Sequence, residues 1–320
     1  MTNLSAPLHV DFSITGKCQL RCKYCSAMPL GDRHAPTQRS LALLDELRQI
    51  GVFSLLLSGG EPTIHPAFLT LASASAEAVP HVMINTNGIR LSREQFARQL
   101  KNASPNAVIA ISLDSPDLAA NNSNRGTGGS LAVQAIENCA AVGLVVCISA
   151  VLTKSTIDSA ADLVERFSPI VKSYKFFPWV PRNNGDILLN DESYLADVDA
   201  FYASLHHLAQ RYPSIELLTP VGNAADKESS IGNTSRTECI CAKARLYINS
   251  KFETFPCYYC ANGDNLIGTC ELSPLRLLWN SDRALAIRAR AERSRLCGAS
   301  LAGQQVPTRY QAPVSAHPAQ

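Results

Sequence analysis

A chain of 320 residues with 46% apolar content is long enough for one large core, or for a core plus an appendage. A net charge of +2 with 18% charged residues leaves no basic excess, so neither nucleic acid nor an anionic membrane surface is an implied partner. No apolar run approaches the roughly 18 residues that span a bilayer. The start MTNLSAPLHV lacks the basic end and apolar stretch of a signal peptide, so a cytoplasmic location is expected.

His9–Thr15 (HVDFSIT) reads as a strand, and the run that follows it, ITGKCQLRCKYCSAM, carries Cys18, Cys22 and Cys25 in a C-x3-C-x2-C spacing. Three close thiolates can hold three irons of a [4Fe–4S] cube, where four cysteines are usual. The remaining iron is then open, and an open metal position is where chemistry happens. Zinc is the plain alternative, but zinc sites usually pair C-x2-C with a second close pair, and none lies nearby. Gln38–Ile50 places Leu41, Leu44, Leu47 and Ile50 at helical spacing and stops at Gly51. Val52–Leu57 is a second strand, followed by Gly59-Gly60-Glu61-Pro62. Two glycines let backbone approach a ligand closely, and Glu61 could accept from an ammonium group.

Leu69–Ala78 is a helix and His81–Asn85 a strand that runs into Asn85-Thr86-Asn87-Gly88. Ser92 with Gln95 three residues on reads as a capping box opening a helix to about Lys101. Ala107–Leu113 is a strand ending in Ser112-Leu113-Asp114. Polar residues at such strand ends are often turn formers. Ser130–Val142 is a helix closed by Gly143. Leu144–Leu152 is a strand, Ser155–Phe167 a helix and Tyr174–Val180 a strand. Regular alternation of this kind argues for a parallel sheet, open or closed as a barrel, whose active site forms in the loops at the carboxyl ends of the strands. Cys139 and Cys147 read as buried small hydrophobes, and His65, His206 and His207 as packing residues. After an amphipathic helix over about Tyr194–Arg211, VGNAADKESSIGNTS reads as a linker. Arg245–Pro256 alternates like a hairpin with Asn249-Ser250 near its turn, Leu277–Ala289 is a helix, and the tail from Ser300 is expected to be poorly ordered.

Eleven cysteines is a high number, and six of them fall between 239 and 297. In a reducing compartment this favours metal binding or catalysis over disulfides. A zinc ribbon from Cys239/Cys241 and Cys257/Cys260 is possible, although only one of those pairs has C-x2-C spacing.

The triplet with Tyr24 just before its last cysteine, followed after the next strand by Gly59-Gly60-Glu61-Pro62, resembles the radical S-adenosylmethionine (SAM) superfamily. The resemblance runs from His9 to Cys297. It implies an α/β fold with a partial (β/α)6 TIM-type barrel over residues 1–220. A twitch/SPASM-like auxiliary Fe–S domain over 221–300, built from a hairpin plus helix, and a tail over 301–320 would follow. It implies that Cys18, Cys22 and Cys25 hold a [4Fe–4S] cluster whose open iron chelates SAM. Reductive cleavage then gives a 5′-deoxyadenosyl radical that abstracts hydrogen from the substrate; the cofactor carries the hard chemistry and the protein orients it. By the same resemblance Tyr24 lies against the adenine, the loop Gly59, Gly60, Glu61, Pro62 takes the methionine amino group, and Asn87, Ser112 and Arg125 contact ribose and carboxylate.

The stretch from Cys241 to Cys257 and NLIGTCELSPLRLLWN resemble the start and middle of a twitch/SPASM domain. Ser300 stands where a further cysteine is usual, which argues for one auxiliary cluster. Cys241, Cys257 and Cys297 are its expected ligands, with Cys239, Cys260 or Cys270 as the fourth. The expected substrate is a natural-product small molecule or a peptide, modified by dehydrogenation, epimerisation or cross-linking, with an electron donor such as flavodoxin or ferredoxin. A barrel that starts by residue 9 leaves no room for an amino-terminal peptide-binding domain and leans towards a small molecule. SLDS and Arg125-Gly126 lean towards a peptide maturase. Molybdenum-cofactor synthesis enzymes share the size and layout, but their carboxy-terminal Gly-Gly and the C-x2-C ahead of the hairpin are missing. A non-catalytic Fe–S or zinc electron-transfer protein is the alternative from another class, and SGGEP speaks against it.

Overall fold

The structure, a computed structural model, describes residues 4–25, 31–153, 156–179, 198–219, 222–223, 243–258, 261 and 263–294. Seven strands run parallel, each bonded to the next in sequence: β1 (His9–Thr15), β2 (Ser54–Gly59), β3 (His81–Thr86), β4 (Val108–Ser112), β5 (Val145–Leu152), β6 (Ser173–Pro178) and β7 (Glu216–Thr219). Between them lie α1 (Thr37–Gln49), α2 (Phe68–Ala78), α3 (Glu94–Ala103), α4 (Leu118–Arg125), α5 (Gly129–Ala141), α6 (Ser159–Phe167) and α7 (Val198–Arg211). Strictly sequential strand order with right-handed crossovers puts every helix on one face, as in a (β/α) barrel.

Strand composition reflects those two faces. Val10, Phe12 and Ile14 of β1 are fully buried in the core with Leu43, Leu47 and Phe68 of the helices, whereas Asp11, Ser13 and Thr15 alternate onto the inner face. On β6, Tyr174 and Phe176 join the helix-side core, which turns Lys175 inward. No helix among the described residues is long and apolar enough to cross a membrane.

The sheet continues past β1. β9 (Arg245–Ile248) pairs parallel with β1, β10 (Glu253–Phe255) is antiparallel to β9, and β11 (Gly268–Thr269) follows. At the other end the two-residue β8 (Gly222–Asn223) pairs with β7, giving the order β11-β10-β9-β1-β2-β3-β4-β5-β6-β7-β8. The hairpin expected at 245–256 is therefore an extension of the barrel sheet. Its turn is held by Asn249, whose side-chain oxygen accepts from the amides of Lys251 and Glu253.

Several elements differ from the sequence reading. β7 and β8 extend the sheet, and β8 lies inside the segment expected to be a linker. The helix expected over Leu277–Ala289 is two, α8 (Leu275–Trp279) and α9 (Asp282–Ser294). The break is made by polar side chains: Asn280 donates to the Arg276 carbonyl, and the Ser281 hydroxyl donates to Leu278 while accepting from the Ala284 amide. No capping box opens α3, because the Ser92 hydroxyl is used by the Ile89 carbonyl and the helix begins at Glu94. α6 starts at Ser159 and not at 155, since Thr156 accepts from the Thr153 amide in a turn of its own. Helix α4 was not expected at all. The boundaries anticipated near 220 and 300, and the tail, lie outside the described residues.

Candidate active site at the carboxyl rim

The carboxyl ends of the parallel strands bring the cysteine loop, the SGGEP loop and the ends of β3 and β4 to one rim. The first two are laced together through backbone. The Gly60 amide donates to the Thr15 carbonyl at 2.8 Å and the Glu61 amide to the Lys17 carbonyl at 2.8 Å. Neither glycine could carry a side chain here: a Cβ on Gly59 would lie 2.2 Å from the Thr15 carbonyl oxygen, and one on Gly60 would lie 2.3 Å from that of Lys17. Gly59 also has a φ of +144°, which only glycine adopts readily.

Glu61 is tied into the protein by several donors. Its side chain is buried, and one oxygen accepts from the Thr63 amide at 3.1 Å, the Thr63 hydroxyl at 2.6 Å and the Thr86 hydroxyl at 2.7 Å. The other accepts from the Asn87 amide at 2.7 Å. The carboxylate therefore braces the loops after β2 and β3. Burial pushes its carboxyl pKa up, against the pull of these donors. Pro62, also buried, opens a 3-10 turn over Pro62–Ile64. His65 packs as expected, hydrogen-bonded to the Ala35 carbonyl and the Ala67 amide.

Among the three cysteines, Cys18 is exposed and its sulfur accepts from the Leu20 amide at 3.3 Å, with the Asn87 side-chain amide 3.9 Å away. Cys22 is half-buried, its thiol donating to the Arg125 carbonyl at 3.6 Å. The Lys23 amide donates to the Asn124 carbonyl at 2.8 Å, so the carboxyl end of α4 anchors the loop. Burial raises the Cys22 thiol to about 11, and Cys18 is also raised by burial; both feel Cys25. Among the described residues no three His, Cys, Asp or Glu side chains close on the spacing of a single ion. Cluster thiolates each take a different iron and need no such convergence. Three neighbouring thiols in a partly exposed loop, beside a glycine cradle, fit a multi-iron group.

The end of β4 holds a residue the sequence reading passed over. Asp114 is fully buried, and its carboxylate accepts from the Arg125 guanidinium at 2.7 Å, the Val151 amide at 2.9 Å and the Tyr24 hydroxyl. Arg125 also stands 5.4 Å from the centre of the Tyr24 ring, and the Asp114 carboxylate raises its already high pKa. Tyr24 and Arg125, expected to contact different parts of a ligand, thus share one buried anchor. The signal was the third letter of SLDS, where Ser112 was favoured. Ser112 is half-buried at the end of β4 and makes no side-chain hydrogen bond among the described residues. α4 is signalled by Asp117, which caps it by accepting from the Ala119 and Ala120 amides.

Among the carboxy-terminal cysteines, Cys257 is buried just after β10. Cys270 belongs to the hydrophobic core, 3.1 Å from the Thr254 hydroxyl, and burial raises its thiol to about 11. Cys239, Cys241, Cys260 and Cys297 lie outside the described residues. Cys139 and Cys147 are fully buried, as expected.

Residues 12–167 match the profile of the Radical SAM superfamily. The chain is 32% identical over 182 residues to the mycofactocin maturase MftC of Mycobacterium ulcerans, covering 55% of this chain and 49% of that protein. It is 25% identical over 322 residues to the AdoMet-dependent heme synthase of Methanosarcina barkeri, covering 93% of this chain and 89% of the other. It superposes on the crystal structure of Streptococcus suis SuiB bound to S-adenosylmethionine with a TM-score of 0.73 at 19% identity, covering 89% of this chain and 68% of that one. At such identity the likeness is one of fold, a partial TIM-type barrel. The chain spans about half the length of the MftC proteins it matches.

Proposed function

The chain belongs to the radical SAM superfamily through residues 12–167, and from that premise we propose that it is an enzyme modifying a peptide with SAM and a [4Fe–4S] cluster held by Cys18, Cys22 and Cys25. When bound, the cluster and SAM together supply a 5′-deoxyadenosyl radical. The residues of the chain bind, orient and shield. Gly59 and Gly60 offer bare backbone to the methionine end of SAM, and Pro62 fixes the turn after them. Asn87 and Ser112 face the ribose side of the rim. Tyr24 and Arg125 form the wall towards adenine and carboxylate, held by Asp114. Glu61 is a positioning residue for the Asn87 loop.

The observation that carries this reading is the backbone lacing of the Gly59-Gly60 loop to residues 15–17, immediately before Cys18. An electron carrier has no need of a glycine cradle against its thiols. The peptide assignment is supported by a relative named for a peptide, the PqqA peptide cyclase of Ruegeria pomeroyi, 26% identical over 192 residues, and by the likeness to maturases such as MftC. A small-molecule substrate is the second reading, favoured by the heme synthase alignment along nearly the whole chain. One auxiliary cluster, held by Cys241, Cys257 and Cys297 with Cys239, Cys260 or Cys270 as the fourth ligand, and a reduced flavodoxin or ferredoxin as electron donor complete the proposal. Whether the outcome is dehydrogenation, epimerisation or cross-linking follows from the substrate.

The test is anaerobic: iron and sulfide are reconstituted, dithionite and SAM are added, and 5′-deoxyadenosine is measured. Absence of cleavage in a fully loaded sample overturns the reading. Iron counting on the Cys18→Ala/Cys22→Ala/Cys25→Ala protein is expected to return about four irons, the content of one remaining cluster.

A further inference from the structure

The inner face of the sheet carries a charge group that the rim site does not use. Asp11 on β1, Lys175 on β6 and Arg245 on β9 all turn away from the helix-side core. Arg245 Nε lies 3.6 Å from an Asp11 oxygen, beyond hydrogen-bond reach, and this buried nitrogen has no hydrogen-bond partner among the described residues. The Lys175 ammonium lies 5.1 Å from the centre of the Phe177 ring, and no carboxylate among the described residues pairs with it. Each charge is felt by the others across the interior: Arg245 and Lys175 both act on Asp11, and Arg245 and Asp11 both act on Lys175. Among the described acidic and basic side chains of this group, two cations stand against one anion, with the Cys257 thiol also close enough to act on Asp11.

Asp11 is buried and Lys175 half-buried, whereas the Arg245 side chain is 38% exposed; a partly desolvated excess of cations is stabilised when a counter-charge joins it. Burial already depresses the Lys175 ammonium, and Arg245 depresses it further. The surroundings are polar on the same face. Ser13 and Ser58 share a hydrogen bond at 3.3 Å, the Tyr247 hydroxyl donates to Ser13 at 3.1 Å, and the Asn85 side-chain oxygen is buried without a partner among the described residues. The depth also suits an occupant that reaches the rim. Thr15 pairs with Gly59 at the top, and Asp11 stands four residues earlier on β1, about 13 Å lower at the rise of a parallel strand.

We propose that this group is a substrate subsite, in which Lys175 and Arg245, with Asp11 orienting the guanidinium, bind a carboxylate of the substrate inside the barrel. It rests on the reading that a substrate enters from the rim. A monoanion balances the surplus, and the planar guanidinium fork matches a carboxylate. The carboxylate could come from the substrate or from the methionine end of SAM, and we assign it to the substrate.

The experiment compares N-acetyl-dialanine as free acid and as carboxamide, binding to the reconstituted full chain by ligand-observed NMR, with and without saturating SAM. The free acid is expected to bind about tenfold tighter than the carboxamide, the factor of one good ion pair. That preference is expected to survive SAM, to fall to within about twofold in Lys175→Met and in Arg245→Gln, and to persist in Lys251→Met, a change at an exposed lysine of the β9–β10 turn. Thermal unfolding of each variant verifies that it is folded. Equal binding of the two probes, binding of neither, or a preference that persists in both inner-face variants overturns the subsite. Loss of the preference on adding SAM assigns the group to SAM and overturns the substrate assignment. SAM cleavage, measured separately on the same samples, tests the enzyme reading: cleavage without acid preference sinks only the subsite, and acid preference without cleavage sinks only the reaction.

Discussion

Three donors converge on Asp114, and two of them, Tyr24 and Arg125, come from segments far apart in sequence. Replacing it by Asn keeps the size but removes the charge that Arg125 needs. Breaking a buried pair leaves an uncompensated cation, so Asp114→Asn is expected to cost about 3 kcal/mol or more, read by urea unfolding of the cluster-free protein. A loss below about 1 kcal/mol would mean that Arg125 finds water or another acceptor. The motif made Tyr24 and Arg125 legible as single residues, but their shared partner was not, because adjacency between β4, α4 and the cysteine loop is a tertiary fact. The donors around Glu61 were not legible for the same reason: a motif names a carboxylate without saying which protein groups surround it. Two histidines give a pH signature. Burial lowers the pKa of both His9 and His34, with Arg245 adding to the first and His65 to the second. The unfolded chain then binds protons more readily than the folded one. Their contribution to stability is present above the ordinary histidine value of about 6.5 and is lost as pH falls below it. The melting temperature is expected to drop between pH 7 and 5, and the drop to be smaller in the His9→Asn/His34→Asn protein.

At the scale of elements, the rim is assembled by close backbone approach between the ends of β1 and β2. Gly60→Ala forces a methyl group against the Lys17 carbonyl, where both sides are main chain and neither can swing away. The expected result is about 1–3 kcal/mol of destabilisation together with reduced iron uptake by the triplet. Gly263→Ala, which meets open space, serves as the control. Iron uptake equal to wild type in Gly60→Ala would show that the loop can shift without disturbing the thiols. The first six strands were legible because each is an apolar, β-branched run with a turn signal behind it. α4 was not, because its inward side is polar: Asn121 and Asn124 are buried, and Asn121 accepts from the Asp114 amide. A reading based on apolar periodicity passes over such a helix. β7 failed for a different reason, since ELLT is four residues long and owes its strand state to pairing with β6.

At the scale of the whole molecule, the described carboxy-terminal part is tied to the barrel at several points. β9 pairs with β1, Arg39 of α1 donates to the Cys270 carbonyl, and the Trp279 indole donates to the Leu4 carbonyl at 2.7 Å. One cooperative unfolding transition is therefore expected for the barrel and the hairpin, with backbone amides of Tyr247 and Ile248 as protected from hydrogen exchange as those of Phe12 and Ile14. Markedly faster exchange in β9 would show that the hairpin opens by itself. None of this pairing has a local signal in the sequence, because His9 and Arg245 meet from opposite ends of the described chain. The same pairing has a consequence in time. At roughly 5–20 residues per second, on the order of ten seconds or more separate the synthesis of β1 from that of β9. Throughout that interval β1 is a bare edge on the nascent chain, with three thiols at its tip. An inward-pointing charge is one of the devices that keep bare edges from pairing with a neighbouring chain. Asp11, which in the finished protein stands beside Arg245, guards that edge until its own partner strand leaves the ribosome.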